Sequence, residues 1–121
     1  MARTFLLEPP PSPLPAARAF LRHARFRLRD DYLVKITAAM DELTDDQIWW
    51  RPNEASNSVG NLVLHLTGNL QQFIGVVLGG SKFVRDRDAE FRRRDVPRDE
   101  LLGQIDATRA AVEREIGRAH V

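Results

Sequence analysis

The chain has 121 residues, which is enough for one domain and too few for two. Its 18 Lys and Arg residues are balanced by 17 Asp and Glu residues, so the whole protein has no charge-driven attraction to nucleic acid or to an anionic membrane. The absence of cysteine excludes disulfides, thiolate catalysis and cysteine-based zinc sites.

Five of the seven prolines lie within the first 15 residues. Because proline fixes φ and removes a hydrogen-bond donor, residues 1–15 are predicted to form an extended, mobile leader. A proline-rich ligand for a partner domain is the alternative. The apolar stretch Phe5-Leu6-Leu7 is too short for the core of a secretory signal, and no run approaches the roughly 20 apolar residues of a membrane span. We therefore expect a cytoplasmic protein with no membrane partner.

From Ala16 to Leu43 the apolar residues recur at steps of three and four, which predicts one long amphipathic helix. Its other face carries charged residues, among them Arg22, Arg25 and Lys35. A solvated bundle face is favoured over a membrane-surface helix, because two further helical segments follow and can cover the apolar stripe.

The sequence Thr44-Asp45-Asp46-Gln47 is typical of a capping box, and it predicts a short helix to about Trp50 that Pro52 ends. At least one of Trp49 and Trp50 is expected to fill one end of the bundle. Stacking of a tryptophan against a ligand is the alternative.

Asn57 or Ser58 can cap the next helix, in which apolar residues at helical spacing predict a largely buried element. These residues are Val59, Leu62, Val63, Leu66, Leu70, Phe73 and Val77. Gly79-Gly80 is expected to end this helix, since glycine adopts the left-handed turn at low cost.

Residues 81–96 alternate arginine with acidic residues, which predicts a loop or short polar helix with local ion pairs, in preference to an anion site. Pro97 is suited to the first position of a third long helix. The buried face of that helix is predicted at steps of four, three and four, from Leu101 through Ile105 and Thr108 to Val112.

Three histidines are present, and His65 alone lies within the predicted buried helix; His23 is expected on the charged, exposed face of the first helix. At about 100° per residue, His65 falls at the flank of the apolar arc, beside a strip formed by Asn61, Asn69 and Gln72. Helical bundles build metal sites from such inward side chains. A hydrogen-bonded core histidine is the alternative, because a catalytic metal normally needs about three protein ligands.

The segment from Ile48 to Asn69, IWWRPNEASNSVGNLVLHLTGN, resembles the DinB-like superfamily and in particular its DUF1572 branch of small bacterial proteins. The segment RDRDAEF from Arg85 to Phe91 is similar to the same branch, and the resemblance covers about residues 16–111. It implies an all-α fold, an antiparallel four-helix bundle with a divalent metal site made of three histidines. His65 matches the ligand of the second long helix, and a His-x-x-x-His-like pair in a fourth helix would supply the other two. Zinc or nickel suits imidazole ligands.

Relatives in that superfamily include thiol-dependent transferases and isomerases. The resemblance therefore implies a metal- and thiol-dependent transferase or hydrolase, acting on an unknown small molecule. In such a parent, Asn61, Asn69 or Gln72 would orient ligand or substrate.

The chain departs from the family pattern because it has no His-x-x-x-His pair. Residues 16–114 are therefore interpreted as an incomplete bundle of about three long helices and a short one, with the fourth helix missing. Residues 115–121 are interpreted as a non-native tail: the apolar pattern is lost after Val112, and Ile116 to Val121 match what one frame of a sequencing adapter would encode. On this hypothesis His120 is not a family residue.

These features predict an inactive chain that binds metal weakly or not at all. The missing helix would leave an apolar groove, so the chain alone is expected to be marginally stable, to aggregate, or to be stabilised by pairing with a second copy through that groove. The alternative is a non-catalytic structural or protein-interaction module whose groove binds a helix. A nucleic-acid binder is disfavoured, since no basic face stands alone.

Overall fold

The computed structural model describes residues 14–78, 80 and 82–119, and all regular secondary structure in this part of the chain is helical. The all-α prediction is confirmed. Residues 1–13 of the predicted leader and His120 lie outside the described residues. Pro15, by contrast, already belongs to the first helix, where a missing backbone donor costs nothing.

The described residues form three long helices and two short ones. Helix α1 covers residues 14–41 in three continuous parts: Leu14–Arg25, a π-helical Phe26–Tyr32, and Leu33–Asp41. Helix α2 covers Asp45–Trp49. Helix α3 covers residues 59–78, with Val59–Leu70 followed by a π-helical Gln71–Leu78. Helix α4 covers Arg87–Arg92, and helix α5 covers Arg98–Ala119.

The helix starts follow the capping signals in the sequence. The Thr44 hydroxyl accepts from the Gln47 amide at 3.2 Å, and the Thr44 amide donates to the Gln47 side chain at 2.9 Å, so the predicted capping box is confirmed. Ser58, one of the two predicted caps, begins α3. Gly80, with a φ of 67°, has the left-handed conformation expected after that helix.

Helix α5 is the centre of the bundle, because α1 and α3 both pack mainly on it. The four residues predicted as its buried face are all at most 1% exposed. The larger core cluster joins α5 to α1, α2 and α3 through Leu33, Met40, Ile48, Leu64 and Ile105, among others. Trp49 packs against this cluster, as expected, whereas Trp50 is 66% exposed.

The apolar pattern of α5 extends further than the sequence predicted. Helix α5 runs to Ala119, and Ile116 is 2% exposed. Ile116 packs with Val112 and Ile74 in a second core cluster, to which Leu21 and Leu28 of α1 also contribute. The prediction that the pattern ends after Val112 was therefore wrong, because the second half of α3 provides an apolar surface for one more turn.

An apolar groove lies between α1 and α3. Its two adjoining cavities of about 400 and 260 Å³ share the lining residues Ile36, Ala39 and Leu66. Leu62, which lines the groove, is 51% exposed and Phe73 is 57% exposed, so the prediction of a largely buried α3 was wrong at these positions. At the groove the reason is that α1 and α3 both pack on α5 and make few contacts with each other, and no described element covers the space between them.

None of the helices among the described residues is both long and apolar enough to cross a membrane.

The open groove predicts contrasting effects for two leucines on adjacent faces of α3. Leu64→Ala, at a side chain 3% exposed, should lower the free energy of unfolding by about 2–5 kcal/mol, since it removes core contacts. Leu62→Ala, at a side chain 51% exposed, should cost less than about 1 kcal/mol. Urea denaturation of both variants measures the difference. Equal losses would show that the groove is covered in solution.

Candidate metal-ligand site at His65

A polar cluster lies where α3 meets the segment before and within α4. It consists of an ion pair, a histidine and two amides: Arg85, Glu90, His65, Asn69 and Gln72. We refer to these five residues as the Arg85 cluster. The sequence placed the last three on one strip of α3, and the fold adds the ion pair.

The ion pair between Arg85 and Glu90 is the centre of the cluster. Arg85 Nε donates to Glu90 Oε2 at 2.9 Å, and Arg85 Nη2 donates to Glu90 Oε1 at 2.9 Å, which is the bidentate geometry that strengthens such pairs. Each side chain is only 9% exposed. The Glu90 hydrogen bonds raise the pKa of Arg85 above its ordinary value, so the guanidinium is charged throughout the physiological range.

Local structure brings Glu90 onto α3. The Asp86 side chain accepts from the Ala89 amide at 3.0 Å and begins α4, which places Glu90 in the first turn of that helix. Gly68 of α3 lies directly under the carboxylate, and a Cβ at this position would overlap Glu90 Oε2. The close approach of α4 to α3 therefore requires glycine here.

His65 lies at the edge of the cluster, with its side chain 35% exposed. Its Nδ1 is 3.2 Å from Glu90 Oε1 and 3.0 Å from Arg85 Nη2. The Phe91 ring lies against the imidazole with the two centroids 4.9 Å apart. The position predicted from the helical periodicity, at the flank of the buried face, is confirmed, and the ring is held by three neighbours.

The three amides predicted near His65 have two different environments. Gln72 and Asn69 accept from Arg85 Nη1, at 3.1 and 3.5 Å, and so belong to the cluster. Asn61 is fully buried and instead donates to the backbone oxygens of Glu90 and Arg93, both at 2.9 Å. It also completes the capping box of Ser58, so it joins α3 to α4.

Sequence reasoning missed Glu90, Gly68 and the inward direction of Arg85. It predicted ion pairing within residues 81–96, and the Arg85–Glu90 pair confirms this. The sequence contained one further signal. Arg85 is the first residue and Glu90 the second-last residue of the motif Arg85-Asp-Arg-Asp-Ala-Glu-Phe91. Nothing in that motif indicated contact with α3, which lies 20 residues earlier in the chain.

The cluster can provide one ligand of a metal site, His65, and no second one. A neutral imidazole with a carboxylate at one ring nitrogen is typical of histidines that bind zinc. Within the described part of the chain, however, no group of three or more His, Asp, Glu or Cys side chains is close enough to hold an ion. The Glu90 carboxylate is already paired with the Arg85 guanidinium. His23 is exposed on α1 as predicted, where Arg27 Nε contacts its ring at 3.5 Å.

A family model described as "Protein of unknown function (DUF1572)" matches residues 15–116. The chain belongs to the DUF1572 family. The match includes every residue of the Arg85 cluster and the buried Ile116. Neither a comparison with curated proteins nor one with solved structures gave a match.

The space under Glu90 predicts opposite effects of alanine at two glycines of this DUF1572 protein. Gly68→Ala should lower the free energy of unfolding by about 1–3 kcal/mol, because the carboxylate must move and the ion pair is distorted. Gly103→Ala should raise it by about 1 kcal/mol, because this helical position has open space around it and alanine is the better helix former. Thermal unfolding followed by circular dichroism distinguishes the two. A stabilised Gly68→Ala would contradict the placement of Glu90.

The buried amide of Asn61 predicts a second stability effect. Asn61→Ala should cost about 2–3 kcal/mol, since the backbone oxygens of Glu90 and Arg93 each lose one hydrogen bond and α3 loses part of its cap. Asn57→Ala, at an exposed position four residues earlier, should change stability by less than about 0.5 kcal/mol. Urea midpoints of the two variants provide the comparison, and equal values would remove Asn61 from the α3–α4 junction.

Proposed function

We propose that this DUF1572 protein is a metal-binding protein of the DinB-like bundle type, in which His65 provides one nitrogen ligand to a divalent cation. The observation that supports it best is the contact of Nδ1 with the Glu90 carboxylate at 3.2 Å. Metal-ligating histidines usually donate their second ring N–H to such a group, which orients the ring and raises its basicity. A core histidine would satisfy both nitrogens inside the fold, whereas His65 keeps part of its ring at the surface.

The apolar groove supports the same proposal. Leu62 and Leu66, which flank His65 on α3, line the groove between α1 and α3. A helix lying in this groove would contact leucines that are near His65 in the sequence of α3, and it could bring further nitrogen donors, as the resemblance to DinB-like proteins implies. With one ligand from the described residues, this chain would bind the cation weakly.

Zinc and nickel suit imidazole ligands better than magnesium or calcium. Bound with an open coordination position, such an ion lowers the pKa of a coordinated water or thiol. This chemistry agrees with a transferase or hydrolase acting on a small molecule. Here the residues of the chain have one role, which is to hold and orient the imidazole.

The second candidate function is a protein-interaction module, and the groove is the observation that favours it. Its lining is almost entirely apolar and runs from Leu28 of α1 to Leu43, just after the end of that helix, a length that fits an amphipathic helix. On this alternative His65 would have no ligand, and metal would have no effect on its ring.

Zinc titration followed by histidine-selective NMR tests the metal proposal. The signals of His65 should shift or broaden at lower zinc concentrations than those of His23, because the carboxylate-held ring is the better ligand. His65→Ala should abolish this preferential response, and His23→Ala should preserve it. Nickel, which is paramagnetic in most nitrogen-ligand sites, provides an independent readout through line broadening.

Two results would contradict the proposal. One is a His65 response no stronger than that of the exposed His23. The other is a zinc response at equally low zinc concentrations that persists elsewhere in the chain after His65→Ala. If the chain is instead a helix-binding module, the expected result is the first one, a His65 response no stronger than that of His23.

A further inference from the structure

The contacts within the Arg85 cluster bear on which ring nitrogen of His65 carries the proton. The geometry points to Glu90 as a positioning residue that holds His65 with its proton on Nδ1 and its lone pair on Nε2, and to Arg85 and Gly68 as the groups that keep Glu90 in place. The inference deepens the proposed function, because it names the nitrogen that would face a cation. Its statement about the proton is independent of any metal.

Two hydrogen-bond arrangements are compatible with the heavy-atom distances around Nδ1. In the first, Nδ1–H donates to Glu90 Oε1 at 3.2 Å, and Nε2 keeps its lone pair. In the second, Arg85 Nη2 donates to an unprotonated Nδ1 at 3.0 Å, and Nε2 carries the proton. Only the first leaves a nitrogen free to act as a ligand outside the cluster.

The angles distinguish the two arrangements. The Nη2–Oε1, Nη2–Nδ1 and Oε1–Nδ1 distances are 2.9, 3.0 and 3.2 Å, which is a nearly equilateral triangle. Seen from Nη2, the two other atoms are therefore only about 65° apart, whereas the two hydrogens on one planar guanidinium nitrogen are about 120° apart. The two hydrogens of Nη2 therefore cannot both point straight at these atoms, and at least one of the two contacts is bent. The straighter bond goes to the carboxylate, because that bond is charge-assisted and part of the bidentate pair.

The guanidinium cannot rotate to change this choice. Nε and Nη2 are both bound to Glu90, and Nη1 donates to Gln72 at 3.1 Å. The carboxylate fills the space that a Cβ at residue 68 would occupy. Nδ1 lies 3.2 Å from Oε1, and this contact is favourable only if Nδ1 carries the proton, because otherwise two lone pairs would face each other.

The same contacts exclude Glu90 from direct coordination of a cation. Both of its oxygens accept from Arg85, and the side chain is 9% exposed. A buried carboxylate without Arg85 would compete with His65 for any cation that approached. Arg85 thus keeps Glu90 from coordinating a cation and leaves it in contact with the imidazole.

Nitrogen-15 NMR of the imidazole tests this inference on the full chain without metal. At a pH where the ring is neutral, wild-type His65 should show the Nδ1–H tautomer, the opposite of the Nε2–H form that free histidine prefers. The paired variant Arg85→Met with Glu90→Leu removes the acceptor without leaving an unpaired buried charge. In it, His65 should revert to Nε2–H as the major form.

A matched control comes from the exposed pair Arg93 and Glu100, whose side chains are 39% and 43% exposed and do not contact His65. Arg93→Met with Glu100→Leu should leave the tautomer as in the wild type. With zinc added, the Arg85→Met/Glu90→Leu variant should bind through His65 about tenfold to hundredfold more weakly than the control variant.

The wild-type spectrum alone tests which nitrogen of His65 carries the proton, even if the paired variant fails to fold. A neutral His65 with its proton on Nε2 would overturn the inference, as would a folded paired variant that retains Nδ1–H. If the tautomer is as expected but zinc does not bind, the proposed function fails and the inference stands. If zinc binds to His65 although the ring is protonated at Nε2 in the free protein, the inference fails and the proposed function stands.

Discussion

The ion pair between Arg85 and Glu90 is the interaction on which the arrangement around His65 depends. The pair itself is local, within residues 85–90, and it is nine-tenths buried. Arg85 joins it to α3 by donating to Gln72 and Asn69. Burying two charges is costly unless their geometry and remaining hydrogen bonds are satisfied. Gly68 provides the space, and Gln72 and His65 complete the hydrogen bonds. Asn61 reinforces the same junction through the backbone of α4.

The apolar groove is the second constraint on function. Because α5 carries both α1 and α3 on its surface, the two outer helices make few contacts with each other, and Leu62 of α3 is left exposed at the gap. Leu62 and Leu66, which line this groove, lie three residues before and one residue after His65 on α3, whereas the His65 side chain belongs to the Arg85 cluster.

The helices themselves were accessible from local sequence. Capping residues at Thr44 and Ser58, the glycine after α3 and the spacing along α5 all act within a few residues, so their consequences could be predicted without knowing the fold. The π-helical parts of α1 and α3 were not predicted, since apolar spacing does not distinguish them from α-helix over so few residues.

The sequence alone determined the family, the helical class and the position of His65 at the flank of a buried face, because each is encoded in short-range pattern. Only the tertiary structure decided which residues surround that histidine. The partner carboxylate comes from 25 residues further along the chain, and whether an arginine in a charged run faces solvent or a buried acid depends on where two helices meet. Asn61, Asn69 and Gln72 formed one strip on the helical projection, yet packing against α4 divided them between a structural junction and an ion-pair cluster.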